Sequence, residues 1–240
     1  IDPTHPLYRP LELAYKSREA LKDLKDYKAV FNKQEANARD RRPKASAMEI
    51  TFREEPFSVY LKFQNPNAGR EVIYVQGKNN NQLLVHDTGV KAIAGTVSLD
   101  PKGTLAMEDS RYPVTMIGMK NMLEKIIAQW EKEGKFAETT VKYYPEAKLG
   151  DVPCMVIETS HPEKRDEFKF QMTRLFIDTK TNYPIRVEQY GFPDKRAGGK
   201  KDKKDGSPLV EEYTYSNIQA NLGLKDKDFD HTNPSYAFPK

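Results

Sequence analysis

Five side chains in this sequence are of the types that most often carry catalysis or bind metal. They are the four histidines and the single cysteine: His5, His86, His161, His231 and Cys154. No histidine has a second His, Cys or acidic residue at a metal-ligand spacing. A lone cysteine forms neither an internal disulfide nor a zinc site, and the alternating apolar residues around it favour a buried thiol. We therefore predict neither a metal nor a cofactor.

Acidic residues near the C-terminus suggest at first a calcium-binding loop. Asp226, Asp228 and Asp230 alternate as the first ligands of such a loop would. The pattern then fails, because the sharp turn lacks its glycine and Ala237 stands where the bidentate glutamate belongs. A solvated tail anchored by Phe229 is the better interpretation.

Sequence motifs of known enzyme mechanisms do not occur. The chain has no G-x-S-x-G, H-E-x-x-H, phosphate-binding P-loop or G-x-G-x-x-G. The remaining catalytic hypothesis would bring His86, which ends a predicted strand, to a distant acid such as Asp109 or Glu158. No motif indicates a reaction, so we predict that the chain is not an enzyme, with a hydrolase as the least favoured alternative.

The composition is that of a folded and highly charged protein. Of 240 residues, 38% are hydrophobic and 10% aromatic, and that aromatic share argues against disorder. The 39 basic and 35 acidic residues leave a net charge of +4, without the basic face of a nucleic-acid partner. No apolar run is long enough to predict a transmembrane span. The one basic cluster lies in a predicted flexible charged loop at 193–208, where aspartates interrupt Lys200, Lys201, Lys203 and Lys204.

Hydrophobic alternation predicts most of the secondary structure that would position the candidate functional side chains. In 48–52 and 57–63, apolar and polar residues alternate, which predicts strands with one buried face. Similar patterns predict roughly nine to eleven strands, including segments at 27–39, 72–76, 82–86, 139–144, 154–159, 168–177, 185–190 and 209–216. Residues 89–113 fit either short strands or a long loop. Short turns such as 77–81 make neighbouring strands antiparallel.

Helical periodicity is strong in one mid-chain segment. One apolar stripe, which predicts a helix over 114–131 that Gly134 ends, contains Met119, Met122, Leu123, Ile126, Ile127 and Trp130. A shorter helix is predicted from Leu11 to Leu24, after an irregular lead-in at 1–10. The methionine-rich stripe fits two interpretations equally well: plain core packing, or a lid over an apolar cavity.

The elements together predict a mainly β (α+β) fold. We expect a curved antiparallel sheet, or unclosed β-barrel, wrapped around the mid-chain helix, with the N-terminal helix in addition. The sequence contains no internal repeat and no linker, so we predict a single domain over 1–240.

Long strings of the sequence carry a family resemblance. They are HPL (5–7), PFSVYLKF (56–63), GREVIYVQGKN (69–79), SLDPKGTLAM (98–107), SRYPVTMIG (110–118), RLFIDTKTNYPIRVEQY (174–190) and LVEEYTYSN (209–217). They resemble the bacterial domain of unknown function 1571 over nearly the whole chain. The strand layout is more remotely similar to the outer-membrane lipoprotein carriers and their receptor, most of all at 174–190. That resemblance implies an unclosed barrel with a concave apolar face, and it carries over no catalytic residue.

The leading hypothesis is a protein that binds a lipid or another hydrophobic ligand in a concave apolar cavity. The ligand would be an acyl chain, free or on a lipidated protein. The predicted lining consists of Leu61, Phe63, Tyr74, Val85, Met119, Met122, Trp130, Phe170 and Phe176. The alternative is a structural or interaction module of the cell envelope, with a protein partner and no ligand. Since the chain starts at Ile1, we expect a periplasmic or otherwise extracytoplasmic location, with a signal peptide or membrane anchor in a removed upstream segment.

Overall fold

The structure is a computed structural model that describes residues 1–36, 42–193 and 206–239. Its two α-helices are α1 (Tyr8–Leu21) and α2 (Met119–Glu133). Its strands are β1 (Asp26–Glu35), β2 (Lys44–Arg53), β3 (Ser58–Asn65), β4 (Glu71–Val75), β5 (Leu83–His86), β6 (Thr96–Leu99), β7 (Thr140–Leu149), β8 (Val152–Ser160), β9 (Met172–Asp178), β10 (Pro184–Tyr190) and β11 (Leu209–Ala220).

The eleven strands form one antiparallel sheet in the order β6-β5-β4-β3-β2-β1-β11-β10-β9-β8-β7. Within the described ranges, β6 and β7 end this order, so the sheet is not closed into a barrel. The predicted mainly β fold, with an unclosed sheet, a mid-chain helix and an N-terminal helix, is confirmed. Neither helix in the described part of the chain is long and apolar enough to cross a bilayer.

The Cα positions divide the chain into two compact units. The first unit comprises residues 1–21 and 119–213, and the second comprises 22–118 and 214–240. Strand β11 therefore contributes its beginning to the first unit and its end to the second. The single domain expected over 1–240 stays a prediction. The Lys200–Lys204 cluster of the expected charged loop at 193–208 lies outside the described residues.

In the first unit, α2 packs on α1 and on β10. Its apolar stripe is fully packed: Met119, Met122, Leu123, Ile126, Ile127 and Trp130 are all buried. The indole of Trp130 donates a hydrogen bond to the Thr159 hydroxyl at 3.2 Å. Because side chains alternate along a strand, Ile157 shares this face of β8 with Thr159, and its cross-strand partner Leu175 lies beside it. These residues form the core of the first unit.

The start of α2 differs from the predicted 114–131. Residues Val114–Met116 form a separate 3-10 helix, in which Met116 is exposed, and α2 begins only at Met119. Gly118 separates the two with a φ of 117°, and a Cβ there would lie 2.9 Å from the Phe52 ring. Its amide also donates to the Tyr215 hydroxyl at 3.0 Å. The left-handed glycine interrupts the helix at a point that apolar periodicity alone does not reveal.

In two further segments the observed secondary structure differs from what a simple alternation of apolar and polar residues predicts. Strand β9 begins at Met172, so Phe168 and Phe170 of the predicted strand 168–177 precede it. Phe168 stacks instead on the His161 ring, with centroids 3.8 Å apart. The segment 89–113, for which loop and strands were both expected, contains a 3-10 helix at Gly89–Ala94 and the short strand β6.

In the second unit, the C-terminal tail covers one face of the sheet. Phe229 and Phe238 of the tail pack in a buried cluster with Tyr60, Ile73 and Val75 of β3 and β4. Tyr236 stacks on Tyr60 with ring centroids 4.0 Å apart. The side chains that alternate with these strand residues point to the opposite face, and that face is apolar.

Candidate functional site

Strand register brings apolar side chains of four adjacent strands onto one face of the second unit. In the β3–β4 pair, Val59 lies opposite Tyr74 and Leu61 opposite Val72. Val85 of β5 pairs with Val72 on one side and with Val97 of β6 on the other. Since every second residue shares a face, Phe63 lies beside Leu61. We use five of these side chains to define the outer apolar face: Leu61, Phe63, Tyr74, Val85 and Val97.

Exposure of the outer apolar face increases towards the β6 edge. Leu61 and Tyr74 are buried, Phe63 and Val85 are half-buried, and Val97 is 38% exposed. Behind it, aromatic rings continue the same face inward: Tyr27 stacks on Phe52 at 4.9 Å. A well-packed inner core therefore grades into an apolar surface that solvent reaches.

An ion pair forms the polar rim of this face. The Arg70 guanidinium binds the Asp87 carboxylate at 2.7 Å and lies over the Phe63 ring, 5.8 Å from its centroid. The Nε of Arg70 is buried and has no hydrogen-bond partner among the described residues. The hydrogen bond from Arg70 holds the pKa of Asp87 below its ordinary value of 3.8. The rim thus presents a fixed cation whose side chain is 23% exposed.

We expect Asp87→Asn to lower the free energy of unfolding by about 0.5–1 kcal/mol near neutral pH, because a partly exposed ion pair contributes little more. The pKa of Asp87 is lower in the folded than in the unfolded chain, so its contribution is complete above the unfolded value of 3.8 and is lost as the pH falls through the folded value. Urea unfolding of both proteins at about pH 7 and about pH 3 measures this. If Asp87→Asn loses as much unfolding free energy at the lower pH as at the higher one, the prediction is wrong.

The other predicted lining residues lie in the first unit. Met119, Met122 and Trp130 belong to the packed stripe of α2, and Phe170 is buried before β9. Phe176 pairs with Val156 and so lies on the opposite face of the sheet from Thr159, the hydrogen-bond partner of Trp130. The structure therefore brings Leu61, Phe63, Tyr74 and Val85 together on one face of the second unit.

A buried polar pair in the first unit has no counterpart in the sequence patterns. His161 Nε2 lies 3.3 Å from the Glu133 carboxylate, and the two side chains are only 2% and 3% exposed. The other ring nitrogen of His161 lies 3.4 Å from the Thr139 hydroxyl. Gln129 also donates to Glu133. Only the fold brings His161 and Thr139 to Glu133, so no spacing rule could have found the His161–Glu133 pair.

Charged residues cover the face of the first unit's sheet that carries Phe176. Glu158 accepts a hydrogen bond from Arg174 at 2.7 Å. Arg186 bridges Glu188 at 2.7 Å and Glu212 at 2.8 Å, and its guanidinium lies over the Phe176 ring. These ion pairs, within β10 and across neighbouring strands, satisfy one another, which is typical of a structural network.

The catalytic hypothesis named His86 with Asp109 or Glu158. His86 Nδ1 lies 3.3 Å from the Gly95 carbonyl, and its ring lies near Phe238. Asp109 binds Lys44 at 3.2 Å, and Glu158 is engaged by Arg174. Cys154 is buried, as its surroundings predicted, and burial raises the pKa of its thiol.

Each aspartate of the C-terminal run has a local role. Asp226 pairs with Arg53 at 2.9 Å, Asp228 accepts from the Lys225 amide, and Asp230 accepts from the Thr232 amide. Among the described residues, no group of three His, Cys, Asp or Glu side chains is placed to hold a metal ion.

Comparison with known proteins gives one match to a family. The family model described as a protein of unknown function, DUF1571, matches residues 24–238. This confirms the resemblance carried by the sequence strings. No curated protein matches the chain.

Several solved structures are remotely similar. The lipoprotein LppX of Mycobacterium tuberculosis is 11% identical, with 90% of this chain and 97% of that chain covered and a TM-score of 0.48. LprF of Mycobacterium bovis is 14% identical, with 91% and 96% covered and a TM-score of 0.47. A LolA superfamily protein of Nitrosomonas europaea is 13% identical, with 91% and 96% covered and a TM-score of 0.36. Similarities this remote carry no argument about ligand or partner.

Proposed function

The chain belongs to DUF1571, a family of proteins of unknown function, and we propose that it binds the acyl chain of a lipid on its outer apolar face. The observation that carries the proposal is the graded exposure of that face, from buried Leu61 to half-buried Phe63 and Val85 and exposed Val97.

The chemistry of the face suits a hydrocarbon ligand. All five of its side chains are apolar or aromatic, and they come from four adjacent strands. Covering such side chains contributes about 25 cal/mol per Å² of apolar surface removed from water. Binding would therefore depend on the length of the acyl chain more than on directed hydrogen bonds.

The rim supplies one polar contact. Arg70 is fixed by Asp87 beside the Phe63 ring, and its side chain is 23% exposed. A carboxylate or phosphate at the head of the ligand could pair with the exposed part of the Arg70 guanidinium. This favours an acyl ligand with an anionic head over a neutral hydrocarbon.

Binding accounts for the site better than catalysis does. The His161–Glu133 pair is enclosed beyond the reach of a substrate, and His86 contacts a backbone carbonyl and Phe238. Classification as a binding protein rather than an enzyme, and an extracytoplasmic location, are parts of this proposal.

We expect the paired substitutions Phe63→Ser and Val85→Ser to raise the Kd for a fluorescent fatty acid at least about tenfold, since both remove apolar contact at the open end of the face. Tyr144→Ser with Val152→Ser is the matched control, because it also removes one aromatic and one valine side chain of partial exposure, but in the first unit. The control should change the Kd less than about twofold. Thermal unfolding by circular dichroism verifies that both proteins are folded.

The proposal is wrong if the wild-type chain binds neither fatty acid nor phospholipid, or if the Phe63/Val85 variant binds as tightly as the wild type. Native mass spectrometry of the purified protein, followed by solvent extraction, provides an independent check. A co-purifying lipid at near-equal stoichiometry would identify the ligand class. An empty protein that also ignores added lipid would leave the envelope module as the remaining interpretation.

A further inference from the structure

The connection between β5 and β6 exposes two large apolar side chains. It folds as a 3-10 helix at Gly89–Ala94, in which Val90 is 85% and Ile93 87% exposed. A 3-10 helix has three residues per turn, so side chains at i and i+3 lie one above the other. Val90 and Ile93 therefore form one apolar edge that points into solvent.

Charge is scarce around this edge. In 88–99 the only charged residue is Lys91, although 31% of the whole chain is charged. Exposed connections normally carry polar residues, and exposed apolar groups of this size mark interaction sites. The surface that meets this edge must therefore be apolar or anionic.

The base of the connection is held in place. The Thr88 hydroxyl donates to the Ala68 carbonyl at 3.1 Å, and His86 Nδ1 lies 3.3 Å from the Gly95 carbonyl. Asp87, the residue before Thr88, is held in place by its ion pair with Arg70. The apolar edge is thus presented from an anchored base, on the hairpin that carries Val85 and Val97 of the outer apolar face.

We propose that Val90 and Ile93 insert into the surface of a lipid bilayer and dock the protein there. Two side chains on one short turn are far too little for a stable protein interface, which buries about 800 Å² on each partner. A bilayer needs only that a few apolar groups enter the interface, with a nearby cation such as Lys91 meeting anionic head groups. This docking goes beyond acyl binding on the outer apolar face and does not depend on it.

Vesicle flotation tests the docking directly. The probes are vesicles of phosphatidylcholine alone and vesicles with about a third phosphatidylglycerol. We expect the wild-type chain to float with both and more strongly with the anionic ones. The paired substitutions Val90→Ser and Ile93→Ser should weaken the partition at least about tenfold on both. Lys91→Gln should weaken it about fivefold on anionic vesicles alone.

Leu222→Ser is the control, because Leu222 is also an exposed apolar residue of the second unit. It should float as the wild type does. A second measurement uses Ile93→Trp, whose emission should shift to shorter wavelength on vesicles, against the constant background of the fully buried Trp130. A wild-type chain that floats with neither vesicle overturns the proposal, as does a Val90/Ile93 variant that floats unchanged. Loss of self-association in that variant, without vesicle binding by the wild type, would show that the edge meets protein instead.

The docking proposal and the acyl-binding proposal can be disproved independently of each other. The Phe63/Val85 variant should still float, and the Val90/Ile93 variant should still bind a fatty acid added in solution.

Discussion

Replacing Trp130 by alanine is expected to lower the free energy of unfolding by about 4 kcal/mol. The indole is 0% exposed in the core of the first unit, so truncation leaves a large cavity among side chains that relax only partly. The Thr159 hydroxyl also loses its hydrogen bond from the indole. Urea unfolding followed by far-ultraviolet circular dichroism measures the loss, since the variant has no tryptophan to fluoresce.

Two variants separate the causes of that loss. Thr159→Val removes only the hydrogen bond of Trp130 and should cost about 1 kcal/mol. Lys132→Ala changes an exposed site on the same helix and should stay within about 0.5 kcal/mol of the wild type. A loss below about 1.5 kcal/mol for Trp130→Ala would mean that the stripe of α2 is not tightly packed. The lid interpretation of that stripe would then regain support.

Replacing Glu71 by alanine is expected to cost about 3 kcal/mol and to release the C-terminal tail. Glu71 is 1% exposed, and its carboxylate accepts hydrogen bonds from the Tyr60 hydroxyl at 3.0 Å and from the Ala237 amide at 2.8 Å. Burial raises the pKa of Tyr60, which keeps the phenol a donor near neutral pH. Without the carboxylate, both donors remain in a dry site with no acceptor.

Hydrogen exchange of residues 230–239 checks the release, and urea unfolding checks the cost. Glu71→Gln should lose less, because its amide oxygen still accepts one of the two hydrogen bonds. Glu49→Ala is the control: Glu49 is exposed on β2 and accepts a bond from Gln64. If the tail of Glu71→Ala exchanges as slowly as that of the wild type, then Phe229 and Phe238 hold the tail without the carboxylate.

Alternation and apolar periodicity predicted the strands with one buried face and the existence of α2. They worked best in β2, where Met48, Ile50 and Phe52 are buried and Glu49 is exposed. In β3 the prediction of a polar face is wrong, because Ser58 and Tyr60 are buried as well. They left β6 undecided between strand and loop, because the alternation of Thr96–Leu99 spans only four residues, most of them exposed. They placed the start of α2 too early, because the break at Gly118 depends on a backbone conformation that the Phe52 ring makes necessary.

The candidate site was predictable only in part, because its faces depend on register. Leu61, Phe63, Tyr74 and Val85 lie on one face since the β3–β4 and β4–β5 connections set consistent pairings. Phe176 is equally apolar, but its register places it among charged residues such as Arg186. A shift of one residue would have reversed both outcomes. Nothing in the sequence distinguishes the exposed residues Val90 and Ile93 from a buried apolar pair.

The division of β11 between the two units has a consequence for how the chain is made. Neither unit is continuous: one needs residues 1–21 with 119–213, and the other needs 22–118 with 214–240. During synthesis from the N-terminus, the ribosome must therefore release β11 before either unit has all of its strands. The nascent chain therefore cannot complete one unit before the other begins, and the strands made earlier keep an unpaired edge until β11 is available. A polypeptide built this way completes neither unit until β11 has been synthesised.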